Sequence, residues 1–376
     1  MNAGDSPRGT PTAVFGIDAS RSTAKQRTGT ETYSLQLIRA LLQLPARHCW
    51  RLYFRDEPPP GLFPASARIE QRIIPFPRLW THVRLGAELA LRTPAGLFVP
   101  AHTLPLFCPA PTVVTVHDLG YLHFPSMHPR RQRAYLHWST RHSARNATHI
   151  IADSEATRND LINYYHTDPK RITVVYPGFD PAPFAAAPVT PALLDLPETY
   201  LLHVGTIQPR KGLSFLLEAL SALRDHPARP TLVCAGRPGW MYGPIMRQVE
   251  ALRLKKRVRF LDYVPHEHLR ALYRQASMLL LPSLYEGFGF TPLESMAAGT
   301  PVICSLAGSL PEVVGDAALT VPARDAAGLA VAIRRLLEET DLRKRLIAKG
   351  LQRCHQFPLQ HSAEKTLTVL ESTFQL

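Results

Sequence analysis

Only five of the 376 residues are cysteine (Cys49, Cys108, Cys234, Cys304 and Cys354), an odd number, widely spaced and without a Cys-x-x-Cys pair. That scarcity argues against a disulfide framework and a thiolate metal cluster, and points to reduced thiols in a cytosolic setting. No apolar run reaches the roughly 18 residues a membrane-spanning helix needs, so any membrane contact is expected to be peripheral. The opening Met-Asn-Ala-Gly-Asp-Ser-Pro-Arg lacks the apolar stretch of a secretion signal, and residues 1–12 read as a disordered tail. Asp-x-Asp is missing altogether, which argues against a diphosphate bridged by Mg²⁺ or Mn²⁺ through paired carboxylates. Acidic residues are also short, 30 against 43 Lys and Arg, for a formal charge of +13. The excess is +8 in residues 1–188 and +5 in the remainder, and ten of the sixteen histidines lie in the first half. This balance favours phosphate-bearing partners. The arginines are dispersed apart from pairs such as Arg130-Arg131, without a nucleic-acid-binding signature, so nucleic acid is not expected.

What is present is the material of two α/β domains. Hydrophobic residues make up 45% and charged residues 19%, and the length exceeds one ordinary core. Strands are expected at 13–17, 50–54, 69–74, 96–99, 112–116, 149–152 and 172–175, interleaved with helices such as 30–44, 129–145 and 155–165. From 176 to 199 the chain turns rich in Pro and Ala and reads as a linker. Strand and helix then alternate again from 200 to 304, implying a second parallel sheet covered on both faces. The expected division is a first domain over 13–180, a linker over 181–199 and a second domain over 200–358. A last helix over 359–376 is expected to cross back to the first domain.

Several short patterns fall at expected strand ends, where open parallel sheets bind ligands. The strand Tyr-Leu-Leu-His-Val opens into Gly205-Thr-Ile-Gln-Pro-Arg210-Lys211-Gly, where a forked guanidinium and a point-charge ammonium suit a diphosphate. Glu286-Gly-Phe288-Gly289-Phe290-Thr-Pro-Leu-Glu294 places a glycine loop and a helix N-terminus between two carboxylates eight residues apart. The apolar strand 112–116 ends in His117-Asp118, which is either a satisfied core histidine or an imidazole facing a ligand. His266-Glu-His268, the only tight histidine cluster, lacks a suitably spaced third ligand and reads as a polar helix start. Gly287-Phe-Gly289 lacks the third glycine of a dinucleotide fingerprint, since position 292 is proline.

Together these motifs resemble the family 4 retaining glycosyltransferases with the GT-B fold, over about residues 13–373 and most strongly over 200–322. The resemblance implies two Rossmann-like parallel-sheet domains facing each other across a cleft. It implies no metal or cofactor, with a nucleotide diphosphate sugar of GDP or UDP type as donor substrate. By that similarity Arg210 and Lys211 bind the diphosphate, Glu286 faces the donor sugar's hydroxyls and Glu294 binds the ribose. The backbone of Phe288, Gly289 and Phe290 holds sugar and phosphate, while Val264 meets the base edge. Gly205 and Gly29 lie on loops approaching the diphosphate, and His117 lies near donor sugar and acceptor. Many members carry a basic residue after the first glycine of the second domain; here it is Thr206, which shifts diphosphate charge onto Arg210 and Lys211. The Gly-Thr…Pro-Arg-Lys variant looks like the branch that includes mannosyl- and rhamnosyltransferases of bacterial surface polysaccharides.

The expected activity is therefore hexose transfer to a saccharide or lipid-linked saccharide, in the cytoplasm at the inner face of the membrane. Peripheral contact with anionic lipid would come through exposed aromatics such as Trp80 or Trp138. Two enzyme alternatives are a GT-B sugar-nucleotide epimerase and a phosphorylase. The non-enzyme alternative is a two-domain sugar-binding protein.

Overall fold

The computed structural model describes residues 13–24, 29–185, 196–197 and 199–375. The expected tail, residues 1–12, and most of the expected linker lie outside the described residues.

Seven strands build the first sheet: β1 (Val14–Asp18), β2 (Cys49–Phe54), β3 (Ile69–Ile73), β4 (Gly96–Val99), β5 (Thr112–Val116), β6 (His149–Ala152) and β7 (Ile172–Val174). They lie in the order β3-β2-β1-β4-β5-β6-β7, every pairing parallel. Six build the second: β8 (Tyr200–Val204), β9 (Thr231–Ala235), β10 (Val258–Phe260), β11 (Met278–Leu281), β12 (Val302–Ser305) and β13 (Leu319–Val321). Their order is β10-β9-β8-β11-β12-β13, again all parallel. The strand order reverses between β1 and β4 in one sheet and between β8 and β11 in the other. Crevices open at the carboxyl ends of strands at such points.

Alternation along each strand supplies both faces of its sheet. Phe15, Ile17 and Phe98 enter one core while Leu97, Val99 and Val114 enter the opposite one. In the second sheet Leu202, Leu279 and Leu281 face one way and Leu201, Met278 and Leu280 the other. Strands apolar on both sides must be covered twice, and helices do this.

The helix Leu359–Phe374 packs its Ala363, Leu367, Leu370 and Phe374 into the first domain's core beside the helix Gly29–Gln43. Phe374 meets Phe15 edge to face, with ring centroids 4.8 Å apart. Gly96 is required beneath it, because a Cβ there would come within 2.2 Å of the Phe374 ring. The other crossing, at Phe179, pairs with Pro358, and the Phe179 N–H donates to Phe357 O at 2.7 Å.

Two expectations change in detail. Trp80 is buried, with its Nε1–H donating to Ile74 O at 2.8 Å, because it enters a π-helical turn, Trp80–Leu85, that folds inward. Trp138 is exposed, as expected. The described start of the expected linker is structured: Ala182–Ala185 is a short helix whose Phe184 joins the second domain's core.

Candidate active site

β8 ends at Gly205, and the chain then folds through a 3₁₀ turn, Pro209–Lys211, into the helix Leu213–Ala222. Gly212 makes the corner at φ +70°, and a Cβ there would strike Pro282 O at 1.9 Å. This close approach brings Arg210 and Lys211 beside the loop that follows β11. The Lys211 side chain lies over Gly205, whose added Cβ would sit 3.6 Å from Nζ.

Lys211 Nζ donates to Glu286 Oε1 at 2.7 Å, and Ser283 Oγ donates to the same oxygen at 2.6 Å. Arg210 stands 3.6 Å from Glu286 Oε2 and donates to Tyr285 O. Burial raises the cost of charging Glu286, but the two cations and the two hydrogen bonds outweigh it and hold its carboxyl below the usual range. Arg210 faces Asp118 from the first domain as well; burial opposes its charge, yet Asp118 and Glu286 raise its pKa. The site is a dense network in which the two anions and two cations satisfy one another.

Glu294 lies in the helix Phe290–Ala297, which starts at Gly289 with φ +106°. It accepts from Tyr273 Oη at 2.6 Å. Ser309 Oγ donates to the carbonyls of Glu286 and Phe288 at 3.1 and 2.6 Å, fixing the loop's backbone. Phe290 reaches across to the first domain's core, where a Cβ on Gly29 would stand 4.0 Å from its ring. Gly287 packs against the other domain so closely that a Cβ would fall 2.0 Å from His117 O. Gly29, Gly205, Arg210, Lys211, Glu286, Phe288, Gly289 and Phe290 are thus gathered at one place, with His117 and Asp118 on the facing wall. Val264 lies farther along the second sheet's edge, after β10 and packed against the core.

Both ring nitrogens of His117 have neighbours in the protein. Its Nδ1 lies 2.6 Å from Asp153 Oδ2 and its Nε2 lies 3.3 Å from Pro100 O. Burial disfavours the imidazolium, but Asp153 and the Pro100 carbonyl together raise its pKa, as two acceptors around one ring require. His102 accepts the His117 backbone N–H at 3.4 Å, and burial followed by the His117 charge lowers its pKa to about 4. The ring is held by the protein at both nitrogens, with the Pro100 contact the longer.

Sequence reasoning missed Asp153, Tyr273 and Ser309, whose partners lie more than twenty residues away in the chain, and Ser283, which sits three residues before Glu286. It also missed a cavity of about 520 Å³ lined by Arg237, Pro238, Asp262 and Tyr263 at the carboxyl ends of β9 and β10. Arg237 stacks over the Tyr263 ring there, 4.8 Å from its centroid. Among the described residues no group of three or more His, Cys, Asp or Glu is arranged to hold a metal ion.

Solved structures share this architecture. Sucrose-phosphate synthase from Thermosynechococcus elongatus superposes with a TM-score of 0.77 at 22% identity, covering 96% of this chain and 99% of that one. WaaG, a glycosyltransferase involved in lipopolysaccharide biosynthesis, gives 0.70 at 18% identity over 95% and 99%. Anabaena HepE, solved with UDP and glucose, gives 0.73 at 17% over 96% and 99%. The architecture is the GT-B fold, two parallel-sheet Rossmann-like domains.

Residues 27–183 match the family described as Glycosyltransferase Family 4, and residues 191–353 match Glycosyl transferases group 1. O-antigen chain mannosyltransferase B of Escherichia coli is 33% identical over 261 residues, 68% of each chain. D-inositol 3-phosphate glycosyltransferase of Corynebacterium glutamicum (strain R) is 33% identical over 226 residues, 56% of this chain and 54% of that one. The chain belongs to glycosyltransferase family 4.

Proposed function

We propose that the enzyme transfers a hexose, mannose or rhamnose, from a GDP- or UDP-type nucleotide sugar to a saccharide or lipid-linked saccharide. Transfer proceeds with retention and without a metal ion, in surface polysaccharide synthesis. The observation that carries this reading is the buried Lys211–Glu286–Arg210 cluster at the second sheet's switch point, facing His117 and Asp118 across the cleft. The similarity to an O-antigen mannosyltransferase supports the choice of sugar and pathway.

In this reading Arg210, Lys211 and the N-terminus of the helix Phe290–Ala297 stabilise the charge that grows on the departing diphosphate. Gly205 and Gly29 let backbone approach it, and the N–H groups of Phe288, Gly289 and Phe290 hold phosphate and sugar. Glu286, ionised and clamped by Ser283, accepts from the hexose hydroxyls, and Glu294 accepts from the ribose. The base lies by Val264, beside the Arg237–Tyr263 cavity. His117 donates to a sugar hydroxyl that displaces Pro100 O from its Nε2. The leaving diphosphate takes the proton of the incoming hydroxyl on the same face, and Glu286, paired with two cations, is a poor nucleophile.

A panel of UDP-, GDP- and dTDP-sugars, read by nucleotide release with and without acceptor, tests this. One donor is expected to react, dependent on acceptor, and Glu286→Ala is expected to lower kcat by about 10²–10³. Near-normal transfer by that variant would sink the site assignment, and turnover without acceptor would favour an epimerase.

The acceptor side has its own surface. The helix Arg130–Asn146 carries Arg130, Arg131, Arg133, Arg141 and Arg145 and no acid. Its exposed Tyr135 and Trp138 continue into His82, 5.3 Å from the Trp138 ring, and exposed Leu79 and Val83 flank that turn. Aromatic and apolar groups ringed by arginine suit an anionic bilayer holding a lipid-linked acceptor at the cytoplasmic face. Sedimentation with phosphatidylglycerol vesicles should fall severalfold in Trp138→Ala; equal sedimentation of both proteins would remove this surface from the proposal.

A further inference from the structure

At the opposite end of the second sheet, away from the cleft, four arginines converge. The helix Leu213–Ala222 and the helix Tyr242–Ala251 both end there, and β9 and β10 both begin there. Arg224, Arg229, Arg253 and Arg257 line a cavity of about 310 Å³ together with Ser221, and no carboxylate is part of the lining. Arg257 donates to Pro230 O at 3.0 Å and to Leu223 O at 3.4 Å. Arg224 donates to Ser221 Oγ at 2.9 Å. These two guanidiniums are therefore oriented in advance. Arg229 and Arg253 are exposed, and among the described residues their side chains have no hydrogen-bond or ion-pair partner.

The nearest acids are used elsewhere or turned away. Glu250 pairs with Lys255 at 2.9 Å, Glu338 pairs with His226 at 3.3 Å, and Asp225 is exposed outside the lining. Burial, then Arg224 and Arg229, lower the pKa of Arg257, a sign that positive charge here is uncompensated. The backbone adds an independent observation. Arg229 and Arg253, the two unpaired arginines, both sit at left-handed φ, +39° and +56°. Glycine or asparagine would occupy such turn positions at lower cost. Strained non-glycine residues of this kind concentrate at ligand sites.

We propose that this edge of the donor domain binds a phosphate-bearing anion, separately from the interdomain cleft. Two anchored guanidiniums form the floor and two free ones close over the phosphate oxygens, which arginine's planar fork chelates in pairs. The helix Leu213–Ala222 runs directly from the Arg210-Lys211 turn to this cavity, a span of about 15 Å, and links the two sites.

Equilibrium dialysis of the full chain with labelled inorganic phosphate tests the site, in a Lys211→Ala background that weakens the cleft. K211A is expected to keep a saturable site, and K211A/R229Q/R253Q to bind at least tenfold more weakly. A second variant, R229G/R253G, relieves the left-handed strain, so it should unfold at a higher temperature while losing the phosphate. Equal phosphate binding with and without the two arginines would overturn the proposal. Vesicles of phosphatidylglycerol, set against phosphatidylcholine, distinguish the source once dialysis has shown the site. Sedimentation lost in R229Q/R253Q assigns a lipid headgroup, and unchanged sedimentation assigns a free phosphate compound.

Discussion

Glu286 is only 8% exposed and still ionised, because Lys211, Arg210 and Ser283 surround it. Its folded pKa lies below its ordinary 4.5, so the stability it contributes is present above pH 4.5 and disappears as pH falls through the folded value. The His117–Asp153 pair has the opposite sign. His117 is raised above 6.5, so its contribution is complete below that pH and is lost as pH rises through the folded pKa. Melting temperatures of wild type and Asp153→Asn across pH 6 to 9 check this. The wild-type advantage should be largest at the acid end and shrink on the alkaline side; a constant difference would contradict the assignment of charge to His117.

At the scale of elements, the parallel strands were legible because they are short continuous apolar runs between turn residues. Tyr-Leu-Leu-His-Val and Met-Leu-Leu-Leu can hardly be anything else in an alternating chain. The helix Leu310–Val314 was not, being too short to show a period. The π-helical turn at Trp80 was also hidden, since its inward packing is set by Ile74 and the first core rather than by local pattern. In the site, the residues on glycine-marked loops were legible and their partners were not. Asp153 and Ser309 carry no local signal, and only the fold brings them to His117 and to the Glu286 loop. The helix Leu359–Phe374 makes a measurable contribution. Phe374 is buried against Phe15 and Gly96, so Phe374→Ala should lower the urea-unfolding free energy by about 3–5 kcal/mol. A loss under about 1 kcal/mol would mean that the helix is not anchored there.

For the whole molecule, specific hydrogen bonds tie the two domains. Ser154 Oγ donates to Gly287 O at 2.7 Å, and Tyr285 Oη donates to Asp160 at 2.5 Å. Glu312 accepts the backbone N–H groups of Glu155 and Ala156, both at 2.8 Å, and the Tyr176 hydroxyl at 3.1 Å. A carboxylate from one domain thus caps the first turn of a helix in the other, with charge and dipole favourably placed. Charge-assisted bonds of this kind are worth about 1.5–3 kcal/mol, enough to change a domain-closing equilibrium by tenfold or more. Glu312→Ala should therefore enlarge the radius of gyration in small-angle scattering and raise the donor KM by about tenfold. An unchanged scattering profile would show that closure does not depend on this contact.

The return of the last helix to the first domain also sets a timetable for the nascent chain. The face formed by Phe15, Leu37 and Phe98 waits for a partner encoded some 180 residues downstream of β7, about 10–40 s of synthesis at roughly 5–20 residues per second. Over that interval only the helix Gly29–Gln43 covers this side of the sheet, and the part beside it stays open, an attractive target for chaperones. Its final state is reached only once the helix Leu359–Phe374 has been made, so losing that helix strands the opposite end of the fold.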